Sequence, residues 1–68
     1  MATFKSSDRI FATIVQRGRV ILNLNISGIT SITDIITTIS GQLKGLVTIN
    51  LRNYTQGWQS NYCVMLAQ

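Results

Sequence analysis

The chain reads as a small α+β domain of two layers, β-β-α-β-β, with one helix packed on a four-stranded, mostly antiparallel sheet. Two observations predict it. Ile32, Ile35, Ile36, Ile39 and Leu43 recur at spacings of three and four, the period of one helical face. On either side of that stretch lie pairs of β-branched and aromatic runs, split by Arg17-Gly18 in the first pair and Tyr54-Thr55-Gln56-Gly57 in the second. A helix flanked by two hairpins buries its apolar face against their sheet.

Sixty-eight residues make one domain. Residues 1–7, small and polar apart from Phe4, read as a flexible N-terminal arm that is ordered only where it docks, and residues 8–68 as the β-β-α-β-β domain. The first strand is predicted over 9–16 and the second over 19–26. A two-residue turn at Arg17-Gly18 pairs Val15 with Val20, Thr13 with Leu22, Phe11 with Leu24 and Arg9 with Ile26, and this set should cover the helix. The reverse face then carries Gln16 with Arg19, Ile14 with Ile21, Ala12 with Asn23 and Ile10 with Asn25.

Gly28 supplies the joint into the helix, predicted over 31–44. Ser31 and Asp34 are placed to serve amide donors at its start, Lys44 suits its negative end, and Gly45 can close it in a left-handed conformation. A stop at Gly41 is the competing reading, but it would leave Leu43 off the apolar face. The third strand, 46–53, alternates with Val47, Ile49 and Leu51 on one side. Its hairpin register sets Leu51 opposite Ser60, Ile49 opposite Tyr62 and Val47 opposite Val64 on the helix side. The reverse side pairs Arg52 with Gln59, Asn50 with Asn61, Thr48 with Cys63 and Leu46 with Met65. Strand order is open at this stage, since only a third strand beside the first makes the sheet antiparallel throughout.

Composition narrows the function. There is no His or Glu, and there are two Asp and one Cys, so general acid–base catalysis and metal or cofactor binding have no residues to work with, and no small-molecule substrate is expected. Cys63, with no imidazole or helix N-terminus beside it, reads as a buried, inert thiol. No apolar run reaches the roughly 18 residues of a membrane-spanning helix. The N-terminus lacks the order of a secretory signal, and with a free thiol this favours the cytoplasm.

Hydrophobic residues make up 46% of the chain and charged residues 12%, half the share of about 25% usual in soluble domains. A chain this short, without disulfide or metal, gains stability by self-association. The leading expectation is therefore a non-catalytic interaction or assembly module acting as a homo-oligomer, most simply a dimer, through Ile10, Ile14, Ile21, Leu46 and Met65 on the reverse sheet face. Tyr54 at the loop tip is a further interface candidate, whereas Trp58 suits the edge of the core. The alternative draws on the net charge of +4. It is a basic nucleic-acid-binding accessory protein that uses Arg17, Arg19 and Arg52 beside the amides of Asn23, Asn25, Asn50, Gln59 and Asn61. Base stacking is not expected on that face, because the predicted register puts Phe11 and Tyr62 under the helix.

Overall fold

The computed structural model describes residues 3–66. In chain order it contains β1 (Ile10–Gln16), β2 (Arg19–Ile26), α1 (Ile32–Ser40), β3 (Gly45–Asn53) and β4 (Trp58–Leu66). The strands form one sheet in the order β2-β1-β3-β4, antiparallel throughout, with α1 on one face. This is the predicted two-layer α+β architecture. The third strand lies beside the first, which settles the strand order.

The second hairpin has the predicted register at every pair: Val47 faces Val64, Ile49 faces Tyr62 and Leu51 faces Ser60. The first hairpin turns at Arg17-Gly18 as expected, with φ of 55° and 74°. Two successive left-handed residues give a turn whose twist matches that of the flanking strands. Gly18 adopts this conformation freely, whereas Arg17 does so at a cost of roughly 1–2 kcal/mol.

Beyond that turn the structure departs from the predicted register. Gln16 pairs with Arg19 and Val15 with Val20, but Ile14 then pairs with Leu22, Thr13 with Asn23, Ala12 with Leu24, Phe11 with Asn25 and Ile10 with Ile26. Ile21 is the extra residue of a β-bulge, and one extra residue reverses which side chains share a face. Ile10, Ala12 and Ile14 therefore lie under the helix, each fully buried, and Phe11, Thr13 and Val15 point the other way.

The helix is also shorter than predicted, ending at Ser40 and not at Lys44. Thr38 Oγ1 donates to the Asp34 carbonyl (2.8 Å) and Ser40 Oγ to that of Ile36. Such back-bonding weakens a last turn in which Gly41 is already a poor helix former. Leu43 stays half-buried against the core all the same, its N–H bonded to the Ile39 carbonyl at 3.0 Å. Gly45 takes the left-handed conformation, φ 89°, but it opens β3 and does not cap the helix. At the other end Ser31 makes no side-chain cap bond. The Asp34 carboxylate instead accepts the Thr30 N–H at 2.8 Å.

The core is the interface between α1 and the sheet's inner face. Ile35 and Ile39 meet Ile10, Ala12, Ile14, Val47, Ile49 and Leu51, all at most 2% exposed, with Ile29 and Leu66 closing the ends. Each fully buried aliphatic side chain contributes about 1.5–3 kcal/mol. A nine-residue helix covers only the two central strands, so Leu22, Leu24 and Ile26 on β2 and Tyr62 and Val64 on β4 are half-buried. No helix among the described residues is long and apolar enough to cross a membrane.

Candidate functional site

Among the described residues nothing packs on the sheet face opposite α1. The two ends of this open face differ in chemistry. Alternation along each strand sets the arrangement: Phe11, Thr13 and Val15 on β1, Asn23 and Asn25 on β2, Leu46, Thr48, Asn50 and Arg52 on β3, and Gln59, Asn61, Cys63 and Met65 on β4. Val20 pairs with Val15, and Ile21 shares the phase of Asn23, so the bulge adds both to the same face.

The end nearest the first hairpin is apolar. Leu46 pairs with Met65, and these are 59% and 70% exposed, while Val20 and Ile21 are 58% and 38% exposed. Val15 lies between the two pairs. Of the five residues expected at an oligomer interface, Ile21, Leu46 and Met65 are at this end. Ile10 and Ile14 are not, because the bulge turns them into the core, where no partner can touch them. Val20 and Val15 take their place. Cys63, expected to be buried, is exposed here and 3.8 Å from Thr48 Oγ1.

The opposite end is polar and concave. Asn25, Phe11, Arg52 and Gln59 lie side by side across the four strands, and Asn23, Thr13, Asn50 and Asn61 form the next row. Phe11, Thr13, Asn50, Arg52, Gln59 and Asn61 line a depression of about 460 Å³ that Tyr54 bounds at one side. Arg52 is held over it by a 2.9 Å bond from its guanidinium to Gln59 Oε1 and by the ring of Tyr54, 5.8 Å from its Cζ. Tyr54 N–H bonds to the Arg9 carbonyl and the Arg9 N–H donates to Thr55 Oγ1 at 2.9 Å, which ties the exposed Arg9, two residues before Phe11, to the Tyr54 end of the face.

The three arginines named from the sequence do not come together. Arg19 pairs with Gln16 and Arg52 with Phe11, and those partners are about 17 Å apart along β1. Arg19 also falls on the helix side of the sheet, and Arg17 is in the hairpin turn. Sequence reasoning missed the cluster of Arg9, Phe11, Arg52 and Tyr54, since the unbulged register put Arg9 and Phe11 under the helix.

Both Asp side chains are away from this face. Asp34 is tied to Thr30. Asp8, only 1% exposed, accepts from Asn53 Nδ2 at 2.9 Å, Gln56 Nε2 at 2.7 Å and the Lys5 N–H at 2.9 Å through one oxygen, Oδ2. The Asn53 amide and then the Lys5 backbone hold its pKa below the usual carboxylate range, against the opposing effect of burial. Asn53 Oδ1 accepts the Gln56 N–H, so this hub ties the N-terminal segment to the β3-β4 loop. Phe4 packs beside it, edge-on to Trp58 at 5.3 Å, and Thr3 bonds Gln56. Met1 and Ala2 of the expected arm lie outside the described residues. Among those described, no three His, Cys, Asp or Glu gather as metal ligands would.

Geometry and residues together define a small domain of one helix on a four-stranded sheet with one open sheet face. No protein-family model, curated protein or solved structure matches the chain.

Proposed function

We propose that this chain is a small non-catalytic interaction module that pairs with a second copy of itself through the apolar end of its open sheet face. One observation carries the reading: Val20, Ile21, Leu46 and Met65 are exposed together on a face that nothing covers. Grouped apolar side chains of this kind mark a surface that meets a partner, whereas scattered ones need no explanation. A twofold arrangement lets one patch serve both copies. Asp8 is buried and hydrogen-bonded and Asp34 is bound at the helix start, which leaves no free carboxylate for proton transfer among the described residues. The exposed Cys63 thiol suits a reducing compartment such as the cytoplasm.

Sedimentation equilibrium at micromolar concentration tests the pairing. The expected result is a dimer that the double variant Leu46→Lys, Met65→Lys converts to a monomer with an unchanged helix and sheet signature in circular dichroism. Cys63 lies in the next row, so a short thiol–thiol cross-linker should trap the wild-type dimer and not the variant. A wild-type chain that stays monomeric up to hundreds of micromolar would remove the proposal.

A further inference from the structure

We propose that the polar end of the open face binds single-stranded nucleic acid, with Phe11 and Tyr54 stacking on bases and Arg9 and Arg52 meeting the phosphates. The residues differ from those of the self-association patch, so either reading stands if the other fails.

Four features of the face point to this occupant. Among the described residues it holds no carboxylate, because Asp8 is buried on the helix side and Asp34 belongs to the helix, whereas Arg52 lines it and the exposed Arg9 stands two residues before Phe11. With a chain charge of +4, that makes it complementary to a polyanion. A neutral ligand would draw no net charge attraction from the guanidiniums.

The aromatics are in the right place. Phe11 is half-buried in the middle of a row and Tyr54 is 59% exposed at its margin, with the Arg52 guanidinium over one face of the tyrosine ring and the other face left for a base. A flat ring next to a cation is what an unpaired base and its phosphate require, and every base has a face to stack. Around them the amides of Asn25, Asn50, Gln59 and Asn61 supply donors and acceptors for base edges.

Shape favours a single strand over a duplex. The two polar rows cross four strands, about 14 Å at ordinary strand spacing, which suits two or three splayed bases on a sheet. A depression in a sheet face lets bases enter from above, but a closed double helix keeps its bases stacked away from Phe11.

Fluorescence anisotropy with labelled oligo-dT and oligo-U of about 12 nucleotides, and a duplex of the same length, tests this from about 20 to 200 mM salt. Binding should be seen for the single strands at low salt and weaken as salt rises. Phe11→Ala and Tyr54→Ala should each lower affinity about tenfold. The paired change Arg9→Gln, Arg52→Gln should flatten the slope of log affinity against log salt by about 1.4, roughly 0.7 for each phosphate that is no longer neutralised. Arg17→Gln with Arg19→Gln removes the same charge from the far end and should leave that slope nearly unchanged. Tyr54 is at an exposed loop tip, so its variant folds even if Phe11→Ala is impaired. The proposal is overturned by no binding at the lowest salt, by equal loss in the Arg17/Arg19 variant, by a duplex that binds as tightly as the single strands, or by indifference to Tyr54→Ala. Competition by polyglutamate as effective as that by oligo-dT would also overturn it, in favour of an acidic polypeptide.

Discussion

Replacing Asn53 tests the buried polar cluster that Asp8 and Asn53 form. Asn53 is fully buried at the end of β3 and bridges two partners, donating to Asp8 Oδ2 and accepting the Gln56 N–H, both at 2.9 Å. Asn53→Ala removes a bond to a charged acceptor, about 1.5–3 kcal/mol, and one to a backbone amide, about 0.5–1.5 kcal/mol. Asp8 keeps two donors, so part of the first loss is recovered. A net cost of about 2–4 kcal/mol is expected. For 68 residues the total stability is roughly 3–10 kcal/mol, so the variant should lose a large part of it and melt roughly 10–25 °C lower. Urea titration followed by Trp58 fluorescence reads this directly, since Trp58 pairs with Asn53 across the hairpin. Asn53→Asp gives a sharper test, because it sets a second carboxylate against Asp8. Like charges raise the pKa of one of the pair, so this variant should gain stability as pH falls through the carboxylate range. A loss below about 0.5 kcal/mol for Asn53→Ala, or an Asn53→Asp variant that weakens in acid as the wild type does, would refute the reasoning.

Two further expectations concern titration and register. Asp8 has a folded pKa below the unfolded value, so its stabilising effect is complete above about pH 4–5 and is lost as pH falls through the lowered folded value; melting temperatures between about pH 7 and 2 should show that decline, and Asp8→Asn should flatten it. Deleting Ile21 removes the bulge yet leaves Val20 opposite Val15 and Leu22 opposite Ile14, so the chain should fold and lose less than Ile14→Ala, itself about 2–5 kcal/mol; deleting Thr13 instead drives Ile10 and Ala12 to the open face and should prevent folding, and two-state urea curves for all three separate the cases.

The two hairpins show what the sequence could disclose. In β3 only one phase is apolar, Val47, Ile49 and Leu51 against Thr48, Asn50 and Arg52, so alternation alone sets the face. In β1 both phases are apolar, Ile10, Ala12 and Ile14 against Phe11, Thr13 and Val15, and the turn then decides. Counting outward from Arg17-Gly18 gives the wrong phase because a bulge has no composition of its own. A signal was present nonetheless: the strict alternation in β2 starts only at Leu22, after the doubled Val20-Ile21. The helix end went unread for a similar reason. Leu43 does belong to the apolar cluster, but it reaches the core from a turn beyond Gly41, which side-chain periodicity cannot distinguish from one more helical turn.

That single inserted residue also decides what the open face can do. If this full sequence paired without the bulge, Ile21 opposite Ile14 and Leu22 opposite Thr13 on the helix side, Phe11 would sit under the helix, while Ile10 and Ile14 would join Ile21 outside. The open face would then be apolar along much of its length and suited only to another apolar surface. The bulge instead gathers the aliphatic side chains of β1 into the core, where Ile35 and Ile39 cover them, and confines the exposed ones to the end near the first hairpin. Phe11 is delivered beside Arg52, and Arg9 beyond it near Tyr54. Sheet edges and ends are where bulges commonly redirect side chains, and here the redirection separates an apolar surface for self-association from a cationic, aromatic surface for a polyanion. Deletion of Ile21 keeps the phase of β1 set by its buried isoleucines, so it should leave the Arg9, Phe11, Arg52 and Tyr54 cluster in place while removing one aliphatic side chain from the opposite end.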